Sequence, residues 1–297
     1  MERISSGQNP KIKKLLELQA KSKARRESGL FVVEGVREIE HCLEAGFEAD
    51  TLFHCPEILP QLPAWVPASA HIEEVSAAVY AKVAYREGTE GLIAEIRERR
   101  LTLADLDGLL GLAAGNSPDR LSSHAADNSP DNKAGKGTEP APDGSDIKAP
   151  LIMVLESVEK PGNLGAVLRS ADAAGADAVF ICDPLTDIYN PNLIRASIGA
   201  VFTVPVIACS SEDAIAWLRE RDFAILTAQL QDSSLYYESD MKGATAIVMG
   251  TESTGLSDLW RRAATAHIRI PMLGRLDSLN VSVSAAILLF EAIRQRQ

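Results

Sequence analysis

The chain has 297 residues, 46% of them hydrophobic, and a formal net charge of −11 at neutral pH. That length accommodates two domains with ordinary cores. No apolar run reaches the roughly 18–20 residues that span a bilayer, and the opening MERISSGQNPKIKK lacks the apolar stretch of a signal peptide. A cytoplasmic location without a membrane partner is therefore expected. Cys42, Cys55, Cys182 and Cys209 fall in no CxxC or zinc-like spacing. No metal site is expected, and Cys182 and Cys209, within or beside apolar runs, are expected to be buried, reduced thiols.

A negative total charge does not exclude a polyanionic partner, because phosphates respond to local patches. Residues 1–30 contain eight basic side chains (Arg3, Lys11, Lys13, Lys14, Lys21, Lys23, Arg25, Arg26) against three acids. Within this stretch Lys11, Lys13, Lys14, Arg25 and Arg26 are candidate contacts to a nucleic-acid backbone. The plainer alternative is a solvated helix face.

In chain order, residues 9–27 predict an amphipathic helix with Ile12, Leu15 and Leu16 on its apolar stripe. LFVVEG (30–35) predicts a strand, REIEHCLEAG (37–46) a helix, TLFHC (51–55) a strand and residues 73–82 a helix. GLIAEIRER (91–99) reads as a strand leading out of this unit. Residues 1–100 are thus expected to form a small α/β domain. Residues 101–150 include a run rich in Gly, Pro, Ser, Asn and Asp that has almost no large apolar side chains. Such a segment cannot offset its ordering entropy, so a flexible linker is expected, with His124 in solvent.

After Pro150 the pattern becomes regular. LIMVLESV (151–158), DAVFICD (177–183), VFTVPVIAC (201–209), FAILTAQ (223–229), TAIVMG (245–250) and HIRIP (267–271) are apolar runs of strand length. Helical stretches fall near 164–175, 190–198, 211–221, 256–265 and 280–294. Alternation of this kind implies an α/β domain over 151–297, with a parallel sheet covered on both faces. Ligands of such sheets lie beyond the carboxyl ends of the strands.

Three segments at strand ends carry candidate chemistry. ESVEKPGNLGAVLRSADAAG (156–175) turns from strand to helix near Asn163 and places Arg169 among small apolar residues, where it wants an anionic partner. It lacks GxGxxG and the P-loop lysine. IVMGTESTGLS (247–257) puts Gly250 after a buried strand, Glu252 in the turn and Gly255 before a helix. RIPMLGRLDSLNVSVSAAILLFEAIRQRQ (269–297) opens with Ser278, Asn280, Ser282 and Ser284, more polar groups than one cap needs. Val283, Ala286, Ile287, Phe290 and Ile293 then recur at helical spacing, predicting the face that packs on the core.

In this order the segments PGNLGAVLRSADAAG, MGTESTGLS and IPMLGRLDSLNVSVSAAILLFEAIRQR resemble the three motifs of the SpoU (TrmH) branch of the SPOUT RNA methyltransferases. The front unit, with GLFVVEG and the basic helix, resembles the substrate-binding domain that often precedes them. Thr251 departs from the Asn that many members carry after the motif-two glycine.

The resemblance implies a deep trefoil knot in the C-terminal domain and S-adenosylmethionine as methyl donor. It also implies transfer to a ribose 2′-hydroxyl of RNA, with ribosomal RNA favoured over transfer RNA, and a homodimer through the C-terminal domain. Arg169 takes the central catalytic role, supported by Asn163, Glu252, Ser278 and Asn280. Gly250, Ile270, Met272 and Leu279 face the donor, and Thr227 and Ala228 are expected beside its adenosine. Two other readings are an RNA-binding homologue without activity and a nucleotide-dependent dehydrogenase. The intact polar set argues against the first, and the missing glycine fingerprint against the second.

Overall fold

The computed structural model describes residues 3–85, 90–112, 149–251 and 253–297. His124, most of the expected linker and Glu252 lie outside the described residues.

The single helix expected over 9–27 is two, α1 (Pro10–Ala20) and α2 (Ser22–Ser28), divided at Lys21, whose backbone is extended. Asn9 caps α1 by accepting from the Lys11 amide, and Pro10 fills a first-turn position where a missing N–H costs nothing. Leu18 rather than Leu16 completes the buried stripe with Ile12 and Leu15. There follow β1 (Leu30–Glu34), α3 (Val36–Glu44), β2 (Ala49–His54), β3 (Ile72–Glu74), α4 (Ala77–Val83) and β4 (Leu92–Arg97). The helix expected from 73 starts only at Ala77, because Ile72–Glu74 pairs with β2. The sheet order is β1-β4-β2-β3. β4, expected to lead out of the unit, is instead paired antiparallel on both sides.

Helix α5 (Leu103–Leu110) occupies the start of the expected linker. A capping box between Thr102 and Asp105 opens it, and Leu106 is buried in the C-terminal core. Asp107 accepts from both Nε and Nη2 of Arg221 at 2.7 Å and from Trp217 Nε1 at 3.1 Å. A bidentate pair of this kind fixes geometry as well as contributing energy.

The C-terminal half contains β5 (Leu151–Glu156), α6 (Pro161–Ala174), β6 (Ala178–Cys182), α7 (Pro191–Ser197), α8 (Ala200–Thr203), β7 (Val206–Cys209), α9 (Ser211–Glu220), β8 (Ala224–Ala228), β9 (Ser234–Leu235), β10 (Thr245–Met249), α10 (Asp258–Ala263), β11 (Ala266–Arg269) and α11 (Val281–Arg296). VFTVPVIAC, expected as one strand, splits because Pro205 has no N–H for a ladder. Its first residues form α8 and only its end forms β7.

All seven strands of this sheet run parallel, in the order β7-β6-β5-β10-β8-β11-β9. β5, β6 and β10 are buried along their whole length. This explains why they read as unbroken apolar runs. The order reverses where β10 inserts between β5 and β8, and a reversal opens a crevice beyond the strand ends. Cys182 and Cys209 face each other across β6 and β7 with sulfurs 4.0 Å apart. Both are free, but Cys209 is only half-buried. The hydrogen bond with Cys209, with burial second, holds the Cys182 thiol above its ordinary pKa.

Helix α11 corrects the expected packing face. Its core side is Val281, Ala285, Leu288, Leu289 and Ala292, while Val283 and Phe290 are about half exposed. Its end is stitched to the start of the sheet by Arg296, which donates to the carbonyls of Ala149 (2.6 Å), Gly243 (2.7 Å) and Met241 (2.8 Å).

The two halves share one core. Phe31 of β1 stacks on Tyr189 with ring centroids 4.1 Å apart, and Phe202 packs against both Phe31 and Phe47. Beside this cluster Arg25, 4% exposed, donates from Nε to Asp187 at 2.6 Å and from Nη1 to the Leu18 carbonyl at 2.5 Å. Truncating one member of a buried pair strands the other. Arg25→Ala is therefore expected to cost about 3–5 kcal/mol in urea unfolding. Lys13→Ala, at an exposed position, is expected to stay within about 0.5 kcal/mol of the parent.

Candidate active site

A cavity of about 340 Å3 lies beyond the carboxyl ends of β8, β10 and β11. Its walls come from Ala228–Gln231, the turn around Gly250 and Gly255, Arg261 of α10, and the segment from Ile268 into the first turn of α11. The volume falls within the usual range for a small-molecule site.

The turn after β10 owes its shape to glycine. A Cβ on Gly250 would meet the backbone of Gly255 at 2.3 Å, and Gly255 itself has φ +69°. The chain thus folds back against its own strand end. Thr251 ties the fold-back together. Its hydroxyl accepts from the Thr254 amide at 3.0 Å and bonds the Thr254 hydroxyl at 2.7 Å, while its carbonyl accepts from the Gly255 amide at 3.1 Å. A short hydroxyl side chain can close such a turn as Asn does, so the Thr251 departure is accommodated locally. Below the turn, buried Glu156 at the end of β5 accepts from the Ser257 amide at 2.8 Å and fixes where α10 begins.

Of the expected donor-facing residues, Ala228, Gly250, Ile270, Met272 and Leu279 line the cavity. Thr227 does not. It is fully buried in the sheet, and its hydroxyl is 2.6 Å from His267 Nδ1. Strand alternation turns its side chain away from the cavity that its neighbour Ala228 reaches.

Of the expected catalytic set, Ser278 is on the wall. Asn280 caps α11 by accepting from the Ser282 amide at 3.0 Å and donates Nδ2 to Asn163 Oδ1 at 3.1 Å. The first and third motifs therefore meet at this amide pair. Close packing of α6 on α7 supports it. A Cβ on Gly165 would come within 2.6 Å of Ala196. Arg169, expected among buried neighbours with an anionic partner, is exposed instead and lies off the cavity wall. Among the described residues it makes no hydrogen bond or ion pair. The helix turns 100° per residue, so Arg169 falls on the outer face of α6 with Gly162 and Ala173.

The basic set divides. Arg25 is buried against Asp187 and does not face solvent. Lys11 pairs with Glu73, and Lys14 donates to buried Glu95 at 2.6 Å. Lys13 and Arg26 are exposed. Among the described residues no cluster of His, Cys, Asp and Glu could hold a metal ion.

Five polar residues on the wall escaped sequence reasoning: Gln229, Gln231, Arg261, Arg269 and Asp277. Gln229 directly follows β8, which is where such sheets place ligand contacts. That signal was available. The inward approach of Arg261 from α10 was not. Two atoms on this wall are buried without a hydrogen-bond partner, Gln229 Oε1 and Arg261 Nε. Gly250→Ala should lower stability by about 1–3 kcal/mol through overpacking against the Gly255 backbone. Gly274→Ala, in open space, should leave thermal unfolding unchanged.

The comparisons with known proteins match this geometry. Residues 150–290 match the SpoU rRNA Methylase family model, and residues 9–94 match the MRM3-like substrate binding domain. The chain is 36% identical over 149 residues to the 23S rRNA (guanosine-2'-O-)-methyltransferase RlmB of Pseudomonas putida. That match spans 50% of this chain and 60% of the relative. A solved RNA 2'-O ribose methyltransferase is 37% identical, with a TM-score of 0.74 and 99% of both chains covered. An AdoMet-bound rRNA methyltransferase from Sinorhizobium meliloti is 27% identical, with a TM-score of 0.78, covering 99% of this chain and 97% of that one. With two motif segments walling one cavity, the first tied to them through the Asn163–Asn280 pair, and a relative matched end to end, the chain belongs to the SpoU rRNA methylase family.

Proposed function

We propose that this protein methylates a ribose 2′-hydroxyl of RNA, with ribosomal RNA as substrate and S-adenosylmethionine as donor. The observation that carries the reading is the cavity beyond β8, β10 and β11, walled by two of the three family motifs. Its fit to the donor rests on the fold-back at Gly250, which exposes main chain to a ligand, and on the two unpaired polar atoms. When bound, the donor supplies an electrophilic methyl group on a sulfonium. Ala228, Gly250, Ile270, Met272 and Leu279 hold it.

The chain's own residues position the acceptor. A guanidinium stays protonated in proteins and cannot serve as base. Arg169 instead clamps a substrate phosphate with its fork and orients the 2′-oxygen, while a phosphate oxygen or a water takes the proton. Holding oxygen, carbon and sulfur in line contributes about 7–11 kcal/mol at best. Asn163 and Asn280 keep the two helix starts in register, Ser278 supports from the wall, and Glu252 completes the supporting set.

Arg169 faces away from the cavity of its own chain, which supports a site completed by a second copy. The exposed Val283 and Phe290 of α11, with Leu273 and Leu276 nearby in sequence, offer an apolar surface for that homodimer. We also assign residues 1–100 to RNA docking and 151–297 to methyl transfer, with the trefoil knot formed as the chain passes from β11 along the cavity into α11. In the docking unit Lys13 and Arg26 reach phosphates directly. Lys11 and Lys14 do so by exchanging their carboxylate partners for phosphate. No described helix is long and apolar enough to cross a membrane.

Labelled S-adenosylmethionine incubated with unmodified ribosomal RNA should yield a 2′-O-methyl nucleotide, located by mapping. Arg169→Lys keeps the charge but loses the fork, so kcat should drop by about tenfold or more. Near-normal turnover would remove the clamp. Phe290→Glu should give a monomer in light scattering and lose activity with it. A dimer that persists would place the interface elsewhere.

A further inference from the structure

The two unpaired atoms on the cavity wall differ in kind. Gln229 Oε1 is a neutral acceptor, and Arg261 Nε is a charged donor. Leaving such groups buried and unmet is unfavourable, more so for the charged one. Neither is an accident of a loose side chain. Gln229 donates its Nε2 to the Gln231 carbonyl at 2.9 Å, which leaves the oxygen as the unmet half of the amide. Its backbone is pinned as well, since its amide donates to the Ile268 carbonyl at 3.0 Å. Arg261 lies under the fold-back, with a terminal nitrogen 3.9 Å from where a Cβ on Gly255 would sit.

Resting on the donor reading above, we propose that Gln229 and Arg261 fix which way round the methyl donor lies: Gln229 Oε1 accepts from the exocyclic amine of adenine, and Arg261 donates to the carboxylate of the amino-acid end. The donor offers three kinds of group to the Gln229 oxygen. Its ammonium would be stripped of water beside a neutral acceptor, whereas Asp277 on the same wall provides a carboxylate. A ribose hydroxyl would bring lone pairs of its own, each of which needs a further donor to be met. The exocyclic amine only donates, so it satisfies the oxygen without creating a new unmet group. At the other end, among the groups the donor carries, only a carboxylate matches a guanidinium. A donor anchored at both ends leaves its sulfonium between them and cannot bind reversed.

Calorimetric titration of the full chain with three ligands tests this assignment. S-inosylhomocysteine replaces the amine by oxygen, and 5′-methylthioadenosine lacks the amino-acid end. The parent protein should bind S-adenosylhomocysteine about tenfold or more tighter than either analogue. Gln229→Leu should bring S-adenosylhomocysteine to within about twofold of the inosyl analogue while the methylthioadenosine ratio stays. Arg261→Met should do the converse. A parent protein that binds S-adenosylhomocysteine and its inosyl analogue equally overturns the assignment of Gln229, whatever the variants do. An Arg261→Met protein that keeps the parent's preference for S-adenosylhomocysteine over methylthioadenosine overturns that of Arg261. A parent protein that binds none of the three overturns the donor reading itself, and this assignment with it.

Discussion

The site depends on one constraint: β10 lies between β5 and β8 and is paired to both. A strand with parallel neighbours on each side and elements over each face has room for a polar side chain only where a partner meets it, as the Gly243 carbonyl meets the Thr245 hydroxyl at 2.8 Å. Thr245 through Met249 are accordingly all buried. Polar chemistry can begin only where the strand ends, at Gly250. There the chain must turn at once, and the absence of a side chain lets it fold onto Gly255 and bring Leu256 back into the core. Glu156 of the neighbouring strand holds the next amide, at Ser257. The cavity floor is thus set by strand pairing, and its rim by a turn that a larger residue at 250 could enter only by displacing the Gly255 backbone.

The front unit is not tethered loosely to this sheet. Phe31 inserts among Tyr189 and Phe202, which belong to the connections around α7 and α8. Arg25 crosses the same boundary to Asp187. α5 is clamped from the other side by Arg221 and Trp217. The front unit is therefore held at a set angle to the cavity. That suits a reaction whose rate depends on alignment.

Much of this was legible from the residues. Parallel strands buried on both faces appear as unbroken apolar runs, so β5, β6 and β10 were found within a residue or two, as were the less fully buried β8 and β11. β9 has two residues and leaves no periodic trace. Helix α11 was found, but its core face was misjudged. Leu, Ile, Val, Ala and Phe occur around its whole circumference, and no stripe stands out in such a helix. Arg25 looked like one more cation because its partner is 162 positions away. Thr227 and Gln229 are two residues apart in a strand and its continuation, and only Gln229 borders the cavity. The sequence pointed to the strand end but not to which residue there reaches the ligand.

Helix α11 joins association to chemistry. Its first turn lines the cavity with Val281 and Ser284, and Asn280 caps it while holding Asn163 of the first motif. Its outer face carries Val283 and Phe290, uncovered in a single chain. Residue 283 lies between two cavity residues, so a surface seated on it constrains the same helical turn that closes the site. Burying two such side chains contributes about 2–3 kcal/mol before ordering costs. That is too little for a stable contact on its own, and the exposed Leu273 and Leu276 of the preceding segment offer further apolar surface. These residues lie between Met272 and Asp277, both of which line the cavity. A surface that covered the outer face of α11 would therefore order the cavity wall at the same time, because one helix carries both a polar start and an apolar outside.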